Sequence, residues 1–263
     1  MASMINSVKK HLTIEVEDLV IEYPSQNGAP LRAVDKVSFR VEQGKRLALV
    51  GPSGCGKSSI LRSLAGLLKP TSGKILFGDW NPLEARNRRV FGLVPQHDAL
   101  LKWRTAADNV GLPLQLDGRD AASREKRSTE LLEFFGLGEF VSYYPDQLSG
   151  GMRSRASIAR ALALEPQALL LDECFASLDV MTRERLYKEL SPMWSKLGTS
   201  LIFITHSVPE AVYLADEVVV LSPLPGRVIE KFAVVASQPR EADFMTTEAF
   251  SAATTKTRRL LGL

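Results

Sequence analysis

Gly51-Pro52-Ser53-Gly54-Cys55-Gly56-Lys57-Ser58 decides how the rest of the chain reads. The run follows an apolar stretch at residues 46–50 and precedes Ile60, Leu61, Leu64 and Leu68, which recur at helical spacing until Pro70. Strand, Gly-rich loop and helix in that order fit G-x-x-x-x-G-K-[ST], a loop that cradles phosphates. Its glycines let the backbone curl so that several N–H groups face one anion, and the helix that follows adds its positive end. Lys57 is expected to reach the β and γ phosphates of a nucleotide, and the Ser58 hydroxyl to ligate Mg²⁺. The nucleotide-holding set is therefore Gly51, Pro52, Ser53, Gly54, Cys55, Gly56, Lys57, Ser58 and the adjacent Ser59. A purely structural Gly-rich turn is the alternative, and the flanking strand and helix weigh against it. The loop alone does not choose between kinases, GTPases and transport ATPases.

Leu169-Leu170-Leu171-Asp172-Glu173 supplies a second half. An aspartate at the end of a buried strand is costly unless a cation or donors meet it, and Mg²⁺ beside the phosphate loop would do so. Glu173, one residue on, is placed to accept a proton from an attacking water, with its pKa raised where the site is dry. A capping pair at a strand-to-loop turn is the plainer reading of the same two carboxylates.

Outward from these segments the pattern is one of strands and helices in alternation. Residues 13–23 alternate apolar and polar side chains before the turn-rich Pro24-Ser25-Gln26-Asn27-Gly28-Ala29-Pro30, and residues 37–41 alternate again. Residues 74–77, 90–94, 169–171, 201–204 and 217–221 are further short strands, and 180–196 and 246–261 read as helices. The last of these helices carries Lys256, Arg258 and Arg259 on its polar side. Strands alternating with helices imply an α/β core with a largely parallel sheet. The strand-rich start suggests an antiparallel flank, and the helical patterns across residues 97–164 suggest an insertion. Ligands bind where the loops leave the carboxyl ends of such strands, which is where the informative residues lie.

Together these segments resemble the ATP-binding cassette (ABC) ATPases, and the likeness covers nearly the whole chain. Leu148-Ser149-Gly150-Gly151-Met152 is similar to the family signature, Gln96 after Val94-Pro95 to its Q-loop, Ala176-Ser177-Leu178-Asp179 to its D-loop, and Thr205-His206 to its switch histidine. Tyr23 is similar to the aromatic that stacks on adenine. The resemblance implies a P-loop NTPase (RecA-like) core with a mainly parallel sheet, an antiparallel β flank and a helical insertion. In that scheme residues 1–263 form a single ABC ATPase domain, 97–164 its inserted helical subdomain and 226–263 a short C-terminal extension. ATP and Mg²⁺ are the implied cofactors, with Ser58, Gln96 and Asp172 at the metal and Glu173, His206, Gln96 and Lys57 in catalysis. Ser149, Gly150 and Gly151 open a helix and so offer a second anion site. By resemblance they serve the ATP of a partner cassette in a head-to-tail homodimer. Asp179 either shapes that dimer interface or caps a helix.

The segment after Gln96, from His97 to Thr105, and the Ser222-Pro223-Leu224-Pro225-Gly226-Arg227 run narrow the likeness to importers of nitrate, sulfonates, taurine and related small organic solutes. This implies separate integral membrane permease subunits, a periplasmic or extracellular solute-binding protein, and a peripheral place on the cytoplasmic face of the inner membrane. An exporter subunit, or a soluble ABC ATPase that remodels DNA or ribosomes, is the alternative. Leu100, Leu101 and Trp103 are candidates for the groove that receives the permease, with the core of the insertion as the other reading. Three residues depart from the subfamily: Cys174 stands where proline is usual, Ala176 where glycine is common and Ser154 where glutamine is frequent. Loss of proline frees φ in the D-loop. Cys55 and Cys174 beside the nucleotide also raise the idea of an oxidisable activity.

Composition excludes other classes. A net charge of +3 gives no reason to expect a nucleic-acid partner. No apolar stretch approaches the ~20 residues that span a bilayer, and Glu15, Glu17 and Asp18 break any signal-peptide core. Two cysteines make neither a disulfide framework nor a four-ligand zinc site, and His11, His97 and His206 are too scattered for a histidine-rich metal site.

Overall fold

The computed structural model describes residues 12–24, 28–96, 99–176, 178–236, 238–241 and 243–263. His11, the turn residues 25–27, the His97-Asp98 pair and Ser177 of the expected D-loop lie outside the described residues.

Nine strands are present among the described residues: β1 (Ile14–Tyr23), β2 (Leu31–Val41), β3 (Arg46–Val50), β4 (Ser72–Phe77), β5 (Phe91–Val94), β6 (Ala168–Asp172), β7 (Ser200–Thr205), β8 (Glu217–Leu221) and β9 (Val228–Ala233). They alternate with helices α1 (Lys57–Leu64), α2 (Pro82–Asn87), α3 (Ala106–Leu116), α4 (Ala121–Phe134), α5 (Gly150–Leu162), α6 (Val180–Leu197), α7 (Val208–Leu214) and α8 (Glu248–Leu261). The main sheet runs β5-β6-β7-β3-β8-β9, and the flank is a three-stranded sheet β2-β1-β4. Within the main sheet β5, β6, β7, β3 and β8 pair in parallel, and β9 closes the edge antiparallel to β8. Both pairings of the flank are antiparallel.

Strands β3 and β7 are buried at every residue, as expected of parallel strands covered on both faces. Alternation along the sheet divides the core in two. Ala48, Val50, Leu169, Leu171, Leu201 and Phe203 face the helices of the insertion and α6 to α8. Leu47, Leu49, Leu170, Ile202 and Ile204 face α1 and the antiparallel flank. Helix α3 packs on α4 and α5, and α5 returns to lie on β5. That last contact is close: a Cβ on Gly92 would overlap the carbonyl oxygen of Ala161.

Three features differ from the sequence reading. Strand β2 begins at Leu31 rather than at 37, because Ala33, Val34 and Asp35 are buried in succession and mask the alternation. Helix α2 is six residues long, held by a capping box between Asn81 and Glu84 with Pro82 in the first turn. Residues 226–263, expected as an extension, contain β9, an edge strand of the main sheet.

The parallel pairing brings the ends of five strands to one rim. Val50 lies beside Thr205 and Val220, Asp172 beside Ile204, and Val94 beside Leu171. The phosphate loop, Gln96, Glu173, His206 and the loop after β8 all leave the sheet there.

Candidate functional site

Helix α1 begins at Lys57 with Gly56 in the left-handed region at φ 97°, and no side chain caps it. Its first-turn amides are thus available to an anion rather than to a capping oxygen. A Cβ on Gly56 would stand 2.7 Å from the Ala33 carbonyl oxygen, so only glycine lets the loop close against β2. The buried Lys57 ammonium donates to the carbonyl oxygens of Gly51 at 2.8 Å and Pro52 at 2.9 Å. It therefore braces the loop from within.

Ser58 Oγ donates to Asp172 Oδ1 across 3.2 Å. Burial pushes the Asp172 carboxyl above its ordinary range; the Ser58 hydrogen bond opposes this and the neighbouring Glu173 adds to it. A cation between Ser58 and Asp172 would reverse that burden. Among the described residues no group of three or more His, Cys, Asp or Glu side chains forms a metal site on its own. One carboxylate, one hydroxyl and one amide oxygen instead fit Mg²⁺, which takes few protein ligands and completes its shell with water and substrate phosphates. Gln96 lines the same cavity as Ser58 and Glu173.

Glu173 has φ 44°, a left-handed backbone that a non-glycine residue adopts at a cost of about 1–3 kcal/mol. Its amide donates to the Ile204 carbonyl at 3.1 Å, and its own carbonyl accepts from the Ala176 amide. The strained turn throws the carboxylate toward β7, where Oε2 lies 3.4 Å from His206 Nδ1. Nothing in the sequence signals that turn.

Tyr23, at the end of β1, shares a hydrogen bond with Ser59 Oγ at 2.9 Å. It lines a cavity of about 370 Å³ together with Ser53, Gly54, Gly56, Lys57, Ser58, Ser59, Gln96 and Glu173. Leu31, Ala33 and Leu224 complete the wall, and sequence reasoning missed all three. A cavity of about 510 Å³ opens between α3 and α4, with Arg104, Asp108, Arg124 and Glu125, and contains none of the loop residues.

Ser149 caps α5, accepting from the Met152 amide at 3.3 Å, and Gly150 and Gly151 form the first turn. They open onto a separate cavity of about 550 Å³ with Arg153, Asp179 and Arg185. No residue is common to that cavity and the phosphate-loop cavity, so within one chain the start of α5 and the phosphate loop line separate cavities. Asp179 caps α6 and accepts from the Thr182 amide at 3.0 Å, and this bonding lowers its pKa.

Two of the departures from the subfamily pattern touch one another: Ser154 Oγ donates to the Cys174 carbonyl at 3.2 Å. Both cysteines are buried. Burial holds the Cys174 thiol well above its ordinary pKa, which disfavours the thiolate that oxidation needs. The three permease candidates divide between the two readings given for them. Leu100 is 7% exposed and belongs to the core, whereas Trp103 is 75% exposed. Leu101 is half-buried and its amide donates to Asn109.

The ABC transporter family model matches residues 34–176. The taurine import ATP-binding protein TauB of Rhizobium johnstonii is 41% identical over 219 residues, covering 83% of each chain. TauB of Pseudomonas aeruginosa is 43% identical over 223 residues, 85% of this chain and 83% of that one. Among solved structures, a dimeric ATP-binding cassette in a post-hydrolysis state with ADP and Pi bound is 27% identical, with a TM-score of 0.73, covering 85% of this chain and all of that one (100%).

Proposed function

Because this chain belongs to the ABC transporter family, whose cassettes bind and hydrolyse ATP, we propose that it powers uptake of taurine, another sulfonate, nitrate or a related small solute through separate membrane subunits. The observation that carries the ATPase chemistry is the meeting of Ser58, Asp172, Glu173 and His206 at the rim of the sheet.

Phosphoryl transfer to water needs positioning and charge stabilisation more than covalent chemistry. The phosphate-loop amides and Lys57 hold the phosphates. Ser58, Asp172 and Gln96 would hold Mg²⁺, which when bound would neutralise charge on the phosphate oxygens. Glu173 accepts the proton of the attacking water, and His206 keeps its carboxylate oriented. The separation of Ser149, Gly150 and Gly151 from the phosphate loop supports a head-to-tail homodimer, in which each chain completes the other's ATP site. The dimeric state of the solved relative supports it too.

Among the described residues no helix is long and apolar enough to cross a membrane; in this reading the transport path belongs to partner subunits. An apolar groove of about 300 Å³ between β5, α3 and α5 is lined by Phe91, Leu93, Leu112, Leu116 and Leu164 with arginines at its rim. It supports docking of a short permease helix, which would hold the cassette on the cytoplasmic face of the inner membrane. A periplasmic or extracellular binding protein then delivers the solute. The test is taurine uptake by vesicles holding this chain with the permease and binding protein encoded beside it. ATP-dependent accumulation is expected; ATP turnover indifferent to every loaded binding protein would refute the import reading.

A further inference from the structure

Residues 222–227 form a loop after β8 that takes no part in the hydrolytic steps. We propose that this loop is the outer wall of the subsite for the nucleotide base, with Leu224 packing on the base. The inference rests on the reading of the phosphate-loop cavity as a nucleotide site, and adds to it a binding segment far downstream in the chain.

Three observations carry it. Leu224 lines the same cavity as Tyr23 and the phosphate loop. It is 47% exposed, and Leu31, in the wall of the same cavity, is 52% exposed. Two exposed leucines and an aromatic ring lining the same cavity as the phosphate-loop amides suit a flat apolar group joined to phosphates.

The loop is also built to stay in place. The Gly226 amide donates to the Ala33 carbonyl at 3.0 Å, and the Asp35 amide donates to the Gly226 carbonyl at 3.0 Å. A Cβ on Gly226 would overlap the Cys55 carbonyl oxygen, so the loop rests directly on the phosphate loop. Arg227 grips the Asp35 carboxylate through two nitrogens, at 2.8 and 2.6 Å. Ser222 Oγ ties the loop to itself, donating to the Pro223 and Pro225 carbonyls and accepting from the Arg227 amide. A segment fixed on β2 and on the phosphate loop presents Leu224 at low entropic cost.

The third observation is the division of labour along the cavity. Among its lining residues the loop glycines and serines offer polar groups, while Tyr23, Leu31, Ala33 and Leu224 offer the apolar ones. The Tyr23 hydroxyl is engaged with Ser59, which sets the ring and leaves its face for contact. Leu224 therefore contributes to binding of the base and not of the phosphates.

The full chain should be titrated with ATP and with inorganic tripolyphosphate, following each by calorimetry. Leu224→Ala is expected to weaken ATP about 3- to 10-fold, the loss of a partly buried leucine contact, and to leave tripolyphosphate unchanged. Leu224→Met retains ATP affinity, and Arg227→Ala, which frees the loop, weakens ATP in the same way as Leu224→Ala. Tyr23→Ala serves as the control for the site itself. ATP affinity that falls in Tyr23→Ala but not in Leu224→Ala or Arg227→Ala overturns the role of the loop. ATP affinity unchanged in all three variants overturns the base subsite at this cavity, and with it the reading on which the inference rests.

Discussion

Glu173 Oε2 and His206 Nδ1 lie 3.4 Å apart, although a whole helix and strand separate them in the chain. Strands β6 and β7 make the meeting possible. They pair in parallel, so Asp172 and Thr205 end on the same rim and the residue after each turns outward beside the other. The left-handed backbone at Glu173 then directs its carboxylate to the imidazole. The proposed base and its proposed positioning partner are thus brought together by sheet register rather than by sequence proximity.

The Ser58–Asp172 hydrogen bond predicts a metal-linked defect. Asp172→Asn keeps the shape and removes the charge opposite Ser58. The Mg²⁺ concentration for half-maximal hydrolysis is expected to rise roughly 10- to 100-fold. A metal titration of the steady-state rate measures it.

Glu210 predicts a pH dependence of stability. Burial pushes its carboxyl from 4.5 to about 7, against hydrogen bonds from Tyr187 and Thr205; the Tyr187 hydroxyl donates at 3.0 Å. The folded pKa lies above the unfolded one, so the contribution is fully present below pH 4.5 and lost as pH rises through about 7. The loss amounts to about 3 kcal/mol. Urea unfolding of the wild type and Glu210→Gln across that window should show a falling stability only in the wild type.

Gly92 predicts a steric limit at the seam between the sheet and the insertion. Gly92→Ala forces β5 away from the α5 backbone at Ala161. A destabilisation of about 1–3 kcal/mol is expected, read as a lower urea midpoint.

The position of Ser149 predicts that hydrolysis depends on chain concentration. Its cavity and that of the phosphate loop do not meet within one chain, so specific activity should rise with concentration until dimers saturate. Ser149→Ala should abolish that rise while ATP still binds. Its lost cap costs about 1 kcal/mol of helix stability, which thermal unfolding separates from the activity effect.

The sequence was most legible where chemistry demands particular residue types. Gly56, Lys57, Ser58, Asp172 and Glu173 could be named as candidates because their types and spacing fit a phosphate loop and its partner strand, and the structure brings Gly56, Lys57, Ser58 and Glu173 to one cavity with Ser58 bonded to Asp172. Strands β3 and β7 were legible because burial on both faces writes a continuous apolar run. Leu31, Ala33 and Leu224 were not, because apolar side chains carry no mark of the ligand they face and come together only through tertiary packing. Leu100 and Trp103 show the same limit: both are large and apolar, and only the packing of the insertion sends one inward and the other to the surface. The left-handed turn at Glu173 was hidden for another reason, since surrounding structure imposes it on a residue that does not favour it.

The most direct test of the central claim is single-turnover hydrolysis of ATP by Glu173→Gln with binding measured alongside. Removing the proton acceptor should slow hydrolysis about 10²- to 10⁴-fold while ATP affinity and ATP-induced dimerisation persist. Turnover at the wild-type rate in that variant would contradict the assignment of Glu173 as the base.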